Sequence, residues 1–183
     1  MGGLATVWSL GHSTRSWEVF LALLRDYGIE AIADVRRFPG SRRHPWFASE
    51  AMAAQLPRDG LEYHWLPQLG GRRRVQPGSP NGAWRNAAFQ GYADHLSSAE
   101  FADGLTQLLQ LAARRRTAMM CAEVVWWRCH RRLIADVLTA RGIEVVHIFD
   151  AGHAQTHVLA DSARPQAGGL IYPPPQADLF GGQ

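Results

Sequence analysis

Residue types able to do chemistry recur in four short clusters of this chain: Gly11-His12-Ser13-Thr14, Asp34-Val35-Arg36, Cys121-Ala122-Glu123 and Arg128-Cys129-His130-Arg131. Each type has a specific use. His12, Asp34 and Glu123 are candidate acid or base groups, and a carboxyl desolvated by the following Trp126-Trp127 pair would hold its proton more tightly. Cys129, flanked by Arg128 and His130 where a helix is expected to start, has the setting that stabilises a thiolate, so it is a candidate nucleophile. Arg36 and Arg131 are expected to neutralise phosphate, and Ser13, Cys121 and His130 to complete the pocket.

Several familiar patterns are absent. The phosphate-cradling arrangement of a cysteine followed six positions later by arginine fails, because those positions hold Trp127 and Ala135. There is no C-x-x-C, no zinc-ligand spacing, no GxGxxG and no Walker sequence, so neither a metal nor a cofactor is expected.

Positioning these clusters requires strand ends that face one way. Thr6 to Leu10, Ile29 to Val35, Leu61 to Leu66, Thr117 to Ala122 and Glu144 to Phe149 read as strands. Helical patterns lie between them: one capped by Thr14 or Ser16 and stopped at Gly28, one over Phe89 to Leu96, one opened by a Ser97/Glu100 capping box, and one over Cys129 to Arg141. This alternation predicts an α/β fold, a mainly parallel five-stranded sheet flanked by helices. Ligands collect at the carboxyl ends of such strands, where all four clusters fall. The domain is expected to span residues 1–150. Residues 151–183, rich in Ala, Gly, Gln and Pro, are expected to form a disordered, flexible tail.

All 19 basic residues are arginine, and residues 36–85 hold nine of them against three acids. Arg42, Arg72, Arg73 and Arg74, interleaved with Trp84 and Tyr92, are expected to bind phosphate and stack on bases, as surfaces for single strands or extruded nucleotides do. No apolar run is long enough to span a membrane and no secretory leader pattern opens the chain, so a cytoplasmic protein with no membrane partner is expected.

Taken with Pro39, Ser41-Arg42, Leu69-Gly70-Gly71-Arg72 and Phe89-Gln90-Gly91-Tyr92-Ala93, the four clusters resemble the domain-of-unknown-function family 488 over roughly residues 6–148. The resemblance implies an α/β domain with its site at the motif residues, and it assigns no activity. Near the end of the chain, Gln176-Ala177-Asp178-Leu179-Phe180 resembles the pentapeptide that binds the bacterial sliding clamp, with Gln176, Leu179 and Phe180 as anchors.

The sequence thus predicts a DNA-associated enzyme of repair or maintenance that hydrolyses a glycosidic or phosphodiester bond by carboxylate acid/base catalysis. Its partners are DNA and the sliding clamp. The alternatives are a non-catalytic DNA- and clamp-binding module, and a Cys-dependent transferase acting on a small phosphorylated substrate.

Overall fold

The computed structural model describes residues 6–176. Its elements run β1 (Val7–Gly11), α1 (Trp17–Asp26), β2 (Ala31–Asp34), α2 (Ser49–Gln55), β3 (Glu62–Trp65), α3 (Ala87–His95) and α4 (Ala99–Arg114). The chain continues through β4 (Thr117–Cys121), α5 (Arg131–Ala140), β5 (Val145–Asp150), β6 (His153–Thr156), β7 (Arg164–Gln166) and β8 (Gly169–Ile171). The five expected strands are all present. They lie parallel in the order β3-β2-β4-β1-β5, and β6 adds antiparallel to β5 as a sixth strand.

Strand periodicity divides the core between the two faces of the sheet. Leu10, Ile32, Met120 and Ile148 point to the side covered by α1 and α2, with Phe20, Leu24 and Met52. Val7, Ala33, Met119 and Val145 point to the side covered by α3, α4 and α5, with Tyr92, Phe101, Leu108 and Ile134. Helix α1 begins where Ser16 Oγ accepts from the Val19 amide at 3.2 Å, and the chain turns out of it at Gly28 with φ +61°. Helix α4 departs from the expected capping box. Ser98, not Ser97, accepts from the Phe101 amide, and Glu100 binds Arg73 instead of returning to the cap.

The domain does not end at residue 150. Strand β6 pairs along β5, the β7–β8 hairpin follows, and fully buried Tyr172 is tied to the body by its amide donating to Asn81 Oδ1 at 2.8 Å. Residues 151–172 therefore belong to the folded unit that the sequence reading closed too early. Gln176 is exposed, while Leu179 and Phe180 of the pentapeptide lie outside the described residues. Among the described residues no helix is long and apolar enough to cross a membrane.

Candidate active site

The chain leaves adjacent strands β1 and β4 in opposite directions: α1 packs on one face of the sheet and α5 on the other. A crevice opens at their carboxyl ends, as it does wherever successive crossovers diverge in an open parallel sheet. The amides of His12 and Ser13 extend the pairing by donating to the Cys121 and Ala122 carbonyls at 2.9 and 3.0 Å. Gly11 permits this approach, since a Cβ there would overlap the Glu123 carbonyl.

On the α5 side of the crevice stand two free thiols and an imidazole. Donor atoms of Cys121, Cys129 and His130 all lie within 4.8 Å of one another. His130 Nε2 donates to the Val35 carbonyl at 2.8 Å, which leaves Nδ1 facing Cys129 Sγ at 3.6 Å. Cys129 is buried, and its backbone is still extended one residue before the His130 cap of α5. The neighbouring Cys121 thiol holds the Cys129 thiol well below the ordinary value against the opposing effect of burial, with help from His130 and the Arg131 charge. Cys121 moves the other way, because its hydrogen bond to Cys129 favours keeping the proton, and burial and the Cys129 charge add to this.

These groups open onto a cavity of about 460 Å³ whose wall also carries Arg37, Arg72, Arg128, Phe38 and Phe89. That volume suits a small molecule or a single nucleotide. The Leu69-Gly70-Gly71-Arg72 motif builds the rim. A Cβ at Gly70 would stand 2.6 Å from the Arg37 Cβ, and one at Gly71 would stand 3.0 Å from His130 Nδ1. Only glycines let this loop lie over the imidazole, and Arg72, at φ +59°, then projects from the rim. Gly91 does the same for α3, where a Cβ would overlap the Arg73 carbonyl. Gly91→Ala is accordingly expected to cost about 1–3 kcal/mol in urea unfolding and to displace the rim.

The family model described as "Domain of unknown function DUF488" matches residues 16–138, about two thirds of the chain. The chain belongs to the DUF488 family. No curated protein and no solved structure matches it. The matched span holds the whole thiol cluster and the cavity rim of this DUF488 domain, whereas His12 and every strand from β5 onward fall outside it.

The other expected site residues are distributed differently. Asp34 is fully buried and receives a bidentate Arg36 guanidinium, Nε at 2.9 Å and Nη2 at 2.6 Å, together with the Tyr63 hydroxyl at 2.6 Å. Its oxygens are occupied, so it braces the loop after β2 and has no lone pair free for acid/base work. Arg36 Nη1 donates to His12 Nε2 at 3.1 Å, and His12 stacks on Phe47. His12 and Ser13 open on a separate cavity with Arg42, on the far side of Ala122 and Glu123 from the thiols.

Glu123 is exposed, and the expected desolvation is not seen, because Trp126 instead stacks flat on His147 with centroids 4.4 Å apart. Arg131 is wholly buried, bound to Ser9 Oγ at 2.9 Å and to the Glu123 and Val124 carbonyls, so it does not reach a ligand phosphate. Arg73 is withdrawn into a salt bridge with Glu100, while Arg72 and Arg74 stay exposed. Tyr92 is buried with its hydroxyl on the Leu69 carbonyl at 2.6 Å. Trp84 packs against Tyr172 and Phe89 beneath Arg132. Neither ring offers a face for base stacking.

The sequence reading missed a buried polar chain in this DUF488 domain. Arg131 donates to Ser9, Ser9 to His147 Nδ1 at 3.0 Å, His147 Nε2 to His157 Nδ1 at 3.0 Å, and His157 Nε2 to Asp136 Oδ1 at 2.8 Å. The Tyr172 hydroxyl closes it on Asp136 Oδ2 at 2.7 Å. A lone signal existed in sequence: Asp136 sits among the apolar residues of α5, where an acid is out of place unless paired.

Burial drives the His12 pKa from 6.5 to about 4. An unfolded histidine therefore binds a proton across that window while the folded one does not, so stability is complete above pH 6.5 and drains as pH falls toward 4. The loss from His12 is expected to reach roughly 3 kcal/mol, and His147, held down to about 2 chiefly by burial, adds to it. Urea midpoints measured from pH 7 to pH 4 should fall steadily, and a flat profile would contradict the neutral state assigned to these imidazoles.

Proposed function

We propose that this DUF488 domain is a cysteine-dependent transferase acting on a small phosphorylated substrate, with Cys129 as the nucleophile. The observation that carries this reading is Cys129 Sγ beside His130 Nδ1 at 3.6 Å, at the wall of a cavity lined by Arg37, Arg72 and Arg128. The arginines hold the phosphate, and Phe38 and Phe89 hold an apolar or aromatic portion. The thiol proton passes to His130 Nδ1. Sγ then forms a bond to the electrophilic group as the bond to the leaving group breaks, and the proton from Nδ1 leaves with it. An incoming acceptor displaces Sγ in a second step, gives its own proton to Nδ1 and restores the thiolate. The carboxylate-driven hydrolysis expected from sequence has less support, since Asp34 is saturated and Glu123 is exposed.

The test is alkylation by iodoacetamide at about pH 6, below the ordinary thiol pKa of about 8.5. Cys129 is expected to react at least on the order of tenfold faster than thiols of the urea-unfolded chain, and inorganic pyrophosphate in the cavity should slow it. Cys129→Ser should abolish the fast phase, and Glu123→Gln should leave it unchanged. A native rate no higher than the unfolded one would overturn the proposal.

The exposed Arg42, Arg43, Arg74 and Arg85 favour a second reading, in which the cavity receives a nucleotide extruded from a DNA strand and Gln176, Leu179 and Phe180 tether the protein to a sliding clamp. Binding to labelled single- and double-stranded oligonucleotides that weakens with salt, and weakens further in Arg42→Ala/Arg74→Ala, is its expected result. No binding at low salt leaves the small substrate. Binding by a chain whose Cys129 is unreactive leaves a recruiting module without catalysis.

A further inference from the structure

We propose that Cys121, Cys129 and His130 form a binding site for one thiophilic divalent cation, Zn²⁺, whose fourth coordination position faces the cavity. The end of β4 supplies one thiol, and the segment entering α5 supplies the other thiol and the imidazole, so the register of one strand and the start of one helix fix all three donors. Their ligand atoms lie within 4.8 Å of one another. Tetrahedral zinc, with Zn–S of about 2.3 Å and Zn–N of about 2.0–2.1 Å, sets a sulfur and a nitrogen ligand about 3.6 Å apart. The Cys129 Sγ to His130 Nδ1 distance is 3.6 Å.

The outer shell is also in place. Metal-bound histidines are aimed by a hydrogen bond from the other ring nitrogen, and His130 Nε2 donates to the Val35 carbonyl at 2.8 Å. That bond commits Nδ1 to be the donor atom. Two thiolates and one imidazole are a soft set that selects zinc over magnesium or calcium. Three protein ligands leave one position open, and the donors line the cavity wall beside Arg37, Arg72 and Arg128, so water or an anionic oxygen can take the fourth place.

Occupancy has a functional consequence that rests on the proposed thiol chemistry, although the site itself does not. A Cys129 thiolate that donates its electron pair to zinc cannot attack an electrophile. Zinc would therefore hold the transferase in an inactive state until a competing chelator removed it.

The experiment uses the full chain, stripped with a chelator and titrated with Zn²⁺ against a chromophoric competitor, alongside Co²⁺ spectra and the Cys129 alkylation rate. One cation per chain is expected, with thiolate-to-cobalt charge-transfer absorption and at least tenfold protection of Cys129. Cys121→Ser and His130→Gln should each weaken binding on the order of a hundredfold. Circular dichroism of both variants checks folding, and either one, if folded, suffices. Absence of stoichiometric binding, or binding that neither folded variant weakens, overturns the site. If metal binding fails while Cys129 stays hyper-reactive, the proposed function stands without it. If zinc binds but the metal-free Cys129 is unreactive, the metal site stands and the thiol chemistry falls.

Discussion

Asp136→Ala is expected to be among the most damaging single substitutions in this protein, lowering stability by about 3–5 kcal/mol of a typical total of about 5–15. The carboxylate is fully buried and accepts three hydrogen bonds, from His157 Nε2, the Ala160 amide and the Tyr172 hydroxyl, at 2.8, 3.0 and 2.7 Å. Removing it strands two buried donors and the half-buried Ala160 amide, a buried donor costing about 1–3 kcal/mol when left unsatisfied. The damage spreads along the chain, because His157 no longer has the acceptor that orients it toward His147, Ser9 and Arg131. Arg131 is a buried guanidinium with no carboxylate partner among the described residues, so its placement depends on that hydrogen-bonded row. Tyr172→Phe leaves one acceptor, Asp136 Oδ2, without its donor and should cost less, about 1–3 kcal/mol. Urea unfolding of both variants checks the ranking. Equal midpoints for Asp136→Ala and the parent would show that residues 151–172 do not depend on this carboxylate.

The same chain explains what was legible in the sequence and what was not. β1, β2, β4 and β5 announce themselves as short, largely apolar runs, because strands in the middle of a parallel sheet are covered on both faces, whereas the edge strand β3, Glu62–Trp65, is marked by the flanking Leu61 and Leu66. β6 gives no such signal. All four of its side chains are exposed, and what holds it is backbone pairing with β5, which composition does not record. Tyr172 and His157 sit in a stretch of Ala, Gly and Pro, and their partners, Asn81, Asp136 and His147, are distant in sequence.

In the site, Cys129 and His130 were readable from their place before a helix. Their union with Cys121 was not, since the eight-residue step matches no ligand spacing and depends on where β4 stops and α5 begins. The arginines illustrate the complementary failure. Counting nine in residues 36–85 describes charge but not partners, and the fold sends Arg36 to Asp34 and Arg73 to Glu100 while leaving Arg72 on the cavity rim.

Asp34→Ala carries the second large expected effect, and its reason differs from that of Asp136. Arg36 is only 7% exposed and meets the Asp34 carboxylate through two nitrogens, so the alanine variant leaves a buried charge without its counter-ion. Breaking a buried pair from one side typically costs about 3–5 kcal/mol, more than the pair contributes net, because desolvation of the survivor is no longer offset. Replacing both partners should then recover much of the loss. Asp34→Ala/Arg36→Met is expected to be more stable than Asp34→Ala alone by about 1–3 kcal/mol, with the Tyr63 hydroxyl, His12 Nε2 and the Phe47 carbonyl, which accepts from Arg36 at 2.7 Å, as the remaining unpaired groups. A double mutant no better than the single would mean that the ion pair is not what Asp34 supports. The cycle also separates brace from catalyst. Arg36 reaches the thiol cavity, but its guanidinium is held by Asp34, His12 and Phe47, so the double variant, where folded, should keep the fast alkylation of Cys129. Loss of that phase in a folded double variant would move Arg36 from scaffold to substrate contact and would place the phosphate deeper than Arg37, Arg72 and Arg128 put it.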